Sequence, residues 1–182
     1  MNELELSKIL SYVLRHVPEK YNLTLDEGGW GDIDTLIKNI KRKHPQFKNI
    51  GFSAILQIVN NNRKKRLEIS EDNTKIRALY GHTFENTISK NIVVPPEILY
   101  HGTSNYTYSK FIKRNGLKKM KRQYVHLTQN INDAERVAKR KSDKIIVLRI
   151  LALESYKNGY KFYQEESIWL SDDLPTEYIQ PI

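Results

Sequence analysis

The sequence predicts an α+β protein of two small domains, one over residues 1–88 and one over residues 89–182. Three observations lead there. Helical apolar periodicity fills the first half and closes on a hairpin pattern. A polar, weakly patterned stretch, Phe84 to Asn91, then runs into the rigid extended segment Val93-Val94-Pro95-Pro96, which places the boundary near residues 85–95. Beyond it short strands outnumber the two clear helices, as in a split, mainly antiparallel sheet.

In the first half, Leu6, Ile9, Leu10, Val13, Leu14 and Val17 fall on one face at 100° per residue. Leu6 to His16 is therefore an amphipathic helix, and Pro18 ends it. Arg15 lies opposite the apolar stripe and His16 at its edge. Taken alone, such a last turn is an ordinary helix stop, suited to the negative end of the macrodipole. Leu23 and Leu25 alternate as a short strand, Glu27-Gly28-Gly29 is a turn, and Trp30 is an anchor. Asp34 is the expected cap of a helix from Thr35 to Lys43. A third helix begins at Ser53 and ends in Asn60-Asn61-Asn62. Leu67 and Ile69, then Ile76 and Ala78, alternate on either side of a polar turn and form a hairpin. Three helices and a hairpin is the order of a winged-helix domain, a fold often used on nucleic acids.

In the second half, Ile98-Leu99-Tyr100 is a strand running into His101-Gly102-Thr103. Tyr106 to Asn115 reads as a helix stopped by Gly116. Tyr124 to Thr128 is a strand, and Asn132 caps a basic helix to Lys141. Lys144 to Ile150 is a continuous apolar strand fit for a sheet centre. Tyr160 to Tyr163, Ser167 to Leu170 and Tyr178-Ile179 add short strands.

Composition narrows the chemistry. The chain has no cysteine, which removes disulfides, thiolate metal sites and thiol nucleophiles. The start, MNELELSK, lacks a signal-peptide h-region, and no apolar run approaches a membrane span. A soluble, cytoplasmic monomer is expected. The net charge of +9 is shared by both halves and favours polyanionic partners, nucleic acid first. Seven cations without one acid run from Lys110 to Arg122.

Six fragments occur in order from about Leu6 to about Ile179: LSKILSYVLRH, LTLDEGGW, RKKRLEIS with KIRALYGHT, LYHGTS, GLKKMKRQYVHLT and SIWLSDDLP. Together they resemble the RNA 2′-phosphotransferase family of KptA type. The resemblance implies a winged-helix lobe that binds RNA, followed by an ADP-ribosyltransferase-like lobe that binds NAD+. It also implies four residues around an RNA 2′-phosphate between the lobes: Arg15, His16, Arg66 and Arg122. The residue types suit the task, since guanidinium stays charged and its planar fork matches two phosphate oxygens. His16 can exchange a proton near neutral pH. For NAD+, the resemblance implies His101, with Gly102 and Thr103 letting the backbone approach the nicotinamide side. It adds His126 against the nicotinamide ribose, and Ile168 at a third position that is apolar in this family. Leu79-Tyr80-Gly81-His82 stands where the family often has Asn-Gln-Gly-His, and Glu166-Ser167 where it often has Asn-Gly.

The implied reaction has two steps. The 2′-phosphate oxygen attacks C1″ of NAD+ and nicotinamide leaves; ribose O2″ then attacks phosphorus. The products are 2′-OH RNA and ADP-ribose 1″,2″-cyclic phosphate, with NAD+ consumed and no metal required. The partners are 2′-phosphorylated RNA, with tRNA as a candidate, and NAD+. Two other readings stand beside it. One is ADP-ribosylation of another acceptor, such as a nucleic-acid terminal phosphate or a protein, which Glu165 and Glu166 leave open. The other is a non-enzymatic winged-helix binder, which leaves the two histidine motifs unexplained.

Overall fold

The computed structural model describes residues 2–61, 65–84, 88–140 and 142–182. Asn62, Arg63, Lys64 and Lys141, and residues 85–87 of the expected boundary, lie outside the described residues. The chain divides into two compact units, Met1–Ser89 and Lys90–Ile182.

The first unit opens on α1 (Glu3–His16), where the Asn2 side chain accepts from the Glu5 amide at 3.2 Å. Leu6, Leu10, Val13 and Leu14 are fully buried, each contributing roughly 2 kcal/mol through its apolar area. β1 (Trp30–Asp32), α2 (Ile33–Lys43), α3 (Phe52–Asn60), β2 (Leu67–Ile69) and β3 (Lys75–Ala78) follow. The strands form an antiparallel sheet in the order β1-β3-β2. The hairpin has the expected register, with Leu67 opposite Ala78 and Ile69 opposite Ile76. Leu36 and Ile40 of α2 and Ile55 of α3 join Leu67 and Ile76 in the core built on α1.

Two expectations fail here. Leu23 to Leu25 is not a strand. Its leucines fold back over Gly31, where an added Cβ would lie 2.8 Å from Leu25 Cδ2, and the strand forms at Trp30–Asp32 instead. The cap of α2 is Asp32, not Asp34, because the Asp32 carboxylate is the one that reaches the Thr35 amide, at 2.7 Å. Trp30 serves as a platform, with the Arg77 guanidinium 4.4 Å from its ring centroid.

The second unit contains β4 (Ile98–Ser104), α4 (Asn105–Thr107), a π-helical turn (Tyr108–Ile112), α5 (Lys113–Asn115), β5 (Val125–Leu127) and α6 (Ile131–Lys139). Then come β6 (Ile145–Leu151), α7 (Ala152–Lys157), β7 (Phe162–Glu165), β8 (Ile168–Ser171) and β9 (Ile179–Pro181). There are two antiparallel three-stranded sheets, β4-β6-β9 and β5-β8-β7. Tyr100 and Thr128 join them, exchanging backbone hydrogen bonds at 2.7 and 3.0 Å. The architecture is thus mixed α and β with small antiparallel sheets. β6 is central, as its apolar run implied, with Leu148 and Ile150 fully buried.

Corrections are again local. Asn130, not Asn132, caps α6, accepting from the amides of Asn132 and Asp133. α7 was not anticipated; its run of six residues is too short to show a period. Gly116 does end the helical stretch, at φ 74° and with Leu174 O only 2.2 Å from where a Cβ would stand.

Candidate active site

In the first unit the last turn of α1 is held by a segment more than sixty residues away. Residues 79–83 return past it after β3. The Tyr80 ring lies under the Arg15 guanidinium, 5.1 Å from centroid to Cζ. Gly81, at φ 93°, lies against the methylenes of the same side chain: a Cβ there would stand 3.5 Å from Arg15 Cδ. The Thr83 amide donates to the Arg15 carbonyl at 2.9 Å, and the Thr83 hydroxyl is 2.8 Å from His16 Nδ1. Arg66 enters through its backbone. Its carbonyl accepts from the Leu79 amide at 3.1 Å and makes a longer contact, 3.5 Å, with Arg15 Nη2. Three residues singled out in sequence, Arg15, His16 and Arg66, are therefore brought together although 51 positions separate the two arginines. Arg15, His16 and Arg66 are all half-buried. His82 is buried and packs edge-on against Phe84 at 5.4 Å.

Arg122 belongs to the second unit, in the turn before β5, where its amide donates to the Lys119 carbonyl at 3.1 Å. Desolvation holds its guanidinium below the usual arginine range, yet it stays charged at neutral pH. Within the same basic run, Asp173 pairs with Lys118 at 3.5 Å and accepts from the Lys119 amide at 2.8 Å.

His101, Gly102 and Thr103 all lie within β4, since the strand continues past Tyr100 as far as Ser104. Alternation puts His101 and Thr103 on one face and Gly102 on the other. Gly102 meets α6, where a Cβ would stand 1.8 Å from the Ala134 carbonyl oxygen. This glycine thus has a packing reason of its own. His101 Nδ1 lies 2.9 Å from the His126 carbonyl, and His126 Nδ1 lies 3.1 Å from the Tyr124 carbonyl. A carbonyl can only accept, so both rings carry their proton on Nδ1 and present Nε2 as the acceptor in the neutral form.

In the β5-β8-β7 sheet His126 is opposite Leu170, and Ile168 is opposite Glu165. Since cross-strand partners share a face, His126, Ile168, Glu165 and Tyr163 all lie on one side. Tyr163 packs against Tyr124 at 4.8 Å. Burial, and then the charge of Asp172, push its hydroxyl up to about 12, so it stays neutral. Glu165 is tied to Lys90 at 2.6 Å, with the two side chains only 18% and 5% exposed. Tyr80 and Thr83 lie in the fragment KIRALYGHT and Lys90 in none, and no local pattern marks any of the three as the partner of a distant residue. Among the described residues no group of three or more His, Asp or Glu could hold a metal ion, and no helix is long and apolar enough to cross a membrane.

Comparison with known proteins gives this geometry a context. Residues 1–173 match the family model described as RNA 2′-phosphotransferase, Tpt1/KptA family. A Fusobacterium nucleatum protein named as a probable RNA 2′-phosphotransferase is 44% identical over 180 residues, 98% of each chain. Proteins given the same name in Acetivibrio thermocellus and Bacillus thuringiensis are 41% and 42% identical, over 97% and 96% of this chain and 95% and 92% of theirs. With a family match over nearly its whole length and relatives above 40% identity, this chain belongs to the RNA 2′-phosphotransferase, Tpt1/KptA family.

Proposed function

We propose that this protein removes an internal 2′-phosphate from RNA by transferring it to NAD+, giving 2′-OH RNA, nicotinamide and ADP-ribose 1″,2″-cyclic phosphate. The observation that carries the reading is the gathering of Arg15, His16 and Arg66 around one returning segment, in a chain of this family. The first unit acts as a winged-helix RNA-binding lobe. Its order of α1, β1, α2, α3 and the β2–β3 hairpin supports that assignment. The second acts as an ADP-ribosyltransferase-like lobe, supported by its paired antiparallel sheets and by the placing of both histidine motifs on strands.

Arg15, His16, Arg66 and Arg122 hold the 2′-phosphate. Their fixed charges stabilise the negative charge that spreads over the phosphoryl oxygens during transfer. The phosphate is already an anion, so its first attack needs orientation rather than a base. His16 holds or passes the proton that the second step moves. NAD+ supplies an electrophilic ribose carbon and, after it, the hydroxyl that accepts phosphorus. The donor set fits such a co-substrate. His101 and His126 are the residues that meet its riboses, each ring oriented by a carbonyl at Nδ1, and Ile168 gives the His126 face an apolar edge. The Lys90–Glu165 pair speaks against transfer to another acceptor, because the carboxylate opposite Ile168 is engaged by an ammonium.

The test is an RNA with one internal 2′-phosphate, incubated with and without NAD+. The expected result is loss of the phosphate only with NAD+, with one nicotinamide released per phosphate removed. Phosphate retention, or nicotinamide release without RNA dephosphorylation, overturns the reading. Labelled NAD+ offered to terminal phosphates and to protein separates the alternative acceptors.

A further inference from the structure

His16 differs from the other two histidines of the candidate site in the chemistry of its Nδ1 partner. His101 and His126 face carbonyls, which accept only. His16 faces the Thr83 hydroxyl at 2.8 Å, and a hydroxyl both donates and accepts. It can donate to a bare Nδ1 and, after turning its proton, accept from a protonated one. The ring can therefore gain or lose a proton without losing its partner. Thr83 does a second thing through its amide, which donates at 2.9 Å to the Arg15 carbonyl. That carbonyl belongs to the last turn of α1, beyond the Val13 carbonyl that the Val17 amide still reaches. Val17 has already left helical geometry at φ −145°, and Pro18 has no amide to give.

We propose that Thr83 is a positioning residue for phosphate transfer, its amide pinning the final turn of α1 and its hydroxyl holding the His16 imidazole in either protonation state. This rests on the reading that Arg15 and His16 hold the RNA 2′-phosphate. Tyr80 completes the clamp by holding the Arg15 guanidinium in place. Among the described residues, the ionisable groups around this turn include Tyr12, whose ring is 5.6 Å from that of His16 on the same helix, Arg15 beside it, Arg66, and Tyr80 and His82 on the returning segment.

Three variants of the full chain test it. Thr83→Val keeps the shape and the amide but removes the hydroxyl. Thr83→Ser keeps the hydroxyl. Thr83→Asp replaces the two-way partner by an acceptor with charge. Val should lower phosphate transfer about tenfold, the worth of one hydrogen bond, with NAD+ affinity unchanged and melting lowered by no more than a few degrees. Ser should restore it, and Asp should move the histidine limb of the pH–rate profile to higher pH by favouring the imidazolium. Nitrogen-15 spectra of the His16 ring read the same contact without turnover, and Val should alter its tautomer balance. A wild-type chain that removes no phosphate overturns the functional reading. A His16 spectrum unchanged by Val overturns this proposal whatever the wild-type rate, as does a Val enzyme with the wild-type rate and pH profile.

Discussion

Gly102→Ala separates two reasons for a glycine in the HGT motif. In the NAD+ reading the backbone there must stay bare for the ligand. In the fold the same residue is where α6 closes on β4. An added Cβ would stand 1.8 Å from the Ala134 carbonyl oxygen and 2.6 Å from its carbon, both backbone atoms that cannot swing aside. Restoring a tolerable separation needs the helix to retreat by about 1.2 Å, in an interior packed as densely as an organic crystal. That retreat opens the contact that buries Ala134 and Ala138, which are 2% and 3% exposed. Overpacking typically costs about 1–3 kcal/mol, and the absence of a flexible partner puts this case at about 3 kcal/mol. Urea denaturation of the full chain measures it, with isothermal titration of NAD+ in parallel. A loss of stability below about 1 kcal/mol would refute the packing argument. If stability is kept and NAD+ affinity collapses, the glycine is there for the ligand alone.

Two further outcomes follow from the electrostatics. Lys90→Met should cost about 1–3 kcal/mol by leaving the partly buried Glu165 without its ammonium, and adding Glu165→Leu should recover most of it; a double-mutant cycle with coupling near zero contradicts this. Asp72, in the hairpin turn, has its carboxyl lowered to about 2 by the Ser70 hydroxyl, then the Thr74 amide and the Thr74 hydroxyl. Because the folded value is depressed, this stabilisation is present above the unfolded value of 3.8 and disappears as pH falls through about 2. Asp72→Asn should remove that acid dependence, and a carboxyl NMR titration midpoint near the unfolded value would contradict the turn geometry.

What the sequence shows of this molecule depends on the range of the contacts. The stripes of α1, α2 and α3 are written in local periodicity, so the helices and their buried faces were legible. Caps were legible only to within two residues. Asp32 and Asp34, or Asn130 and Asn132, are equally good capping types, and only the backbone path decides which side chain reaches an amide. The Leu23–Leu25 alternation misled because those side chains cover Gly31 rather than pair in a ladder. At the site, Arg15, His16, Arg66, His101, His126 and Ile168 were reachable by motif. Tyr80 and Thr83 fall inside the fragment KIRALYGHT, but nothing local gives them a partner, and Lys90 falls in no fragment; their contacts span 65 or more positions.

The same contacts bear on how the last turn of α1 should be understood. A cation and an imidazole placed only to suit the helix dipole need no tertiary partners; solvent exposure costs them nothing, and their side chains stay mobile. Here the guanidinium of Arg15 has an aromatic ring beneath it, its carbonyl has a donor from Thr83, and the imidazole of His16 has a hydroxyl partner. The two side-chain contacts among these cost rotamer entropy that a helix stop does not require. Rigid orientation of charge matters for binding a tetrahedral anion, where the donors must already point at the oxygens before the ligand arrives. The contacts at the end of α1 suit that second task, in keeping with the phosphate-holding role proposed for Arg15 and His16. Residues 79–83 supply those contacts, so under that proposal they belong to the site as the residues that hold its donors in place.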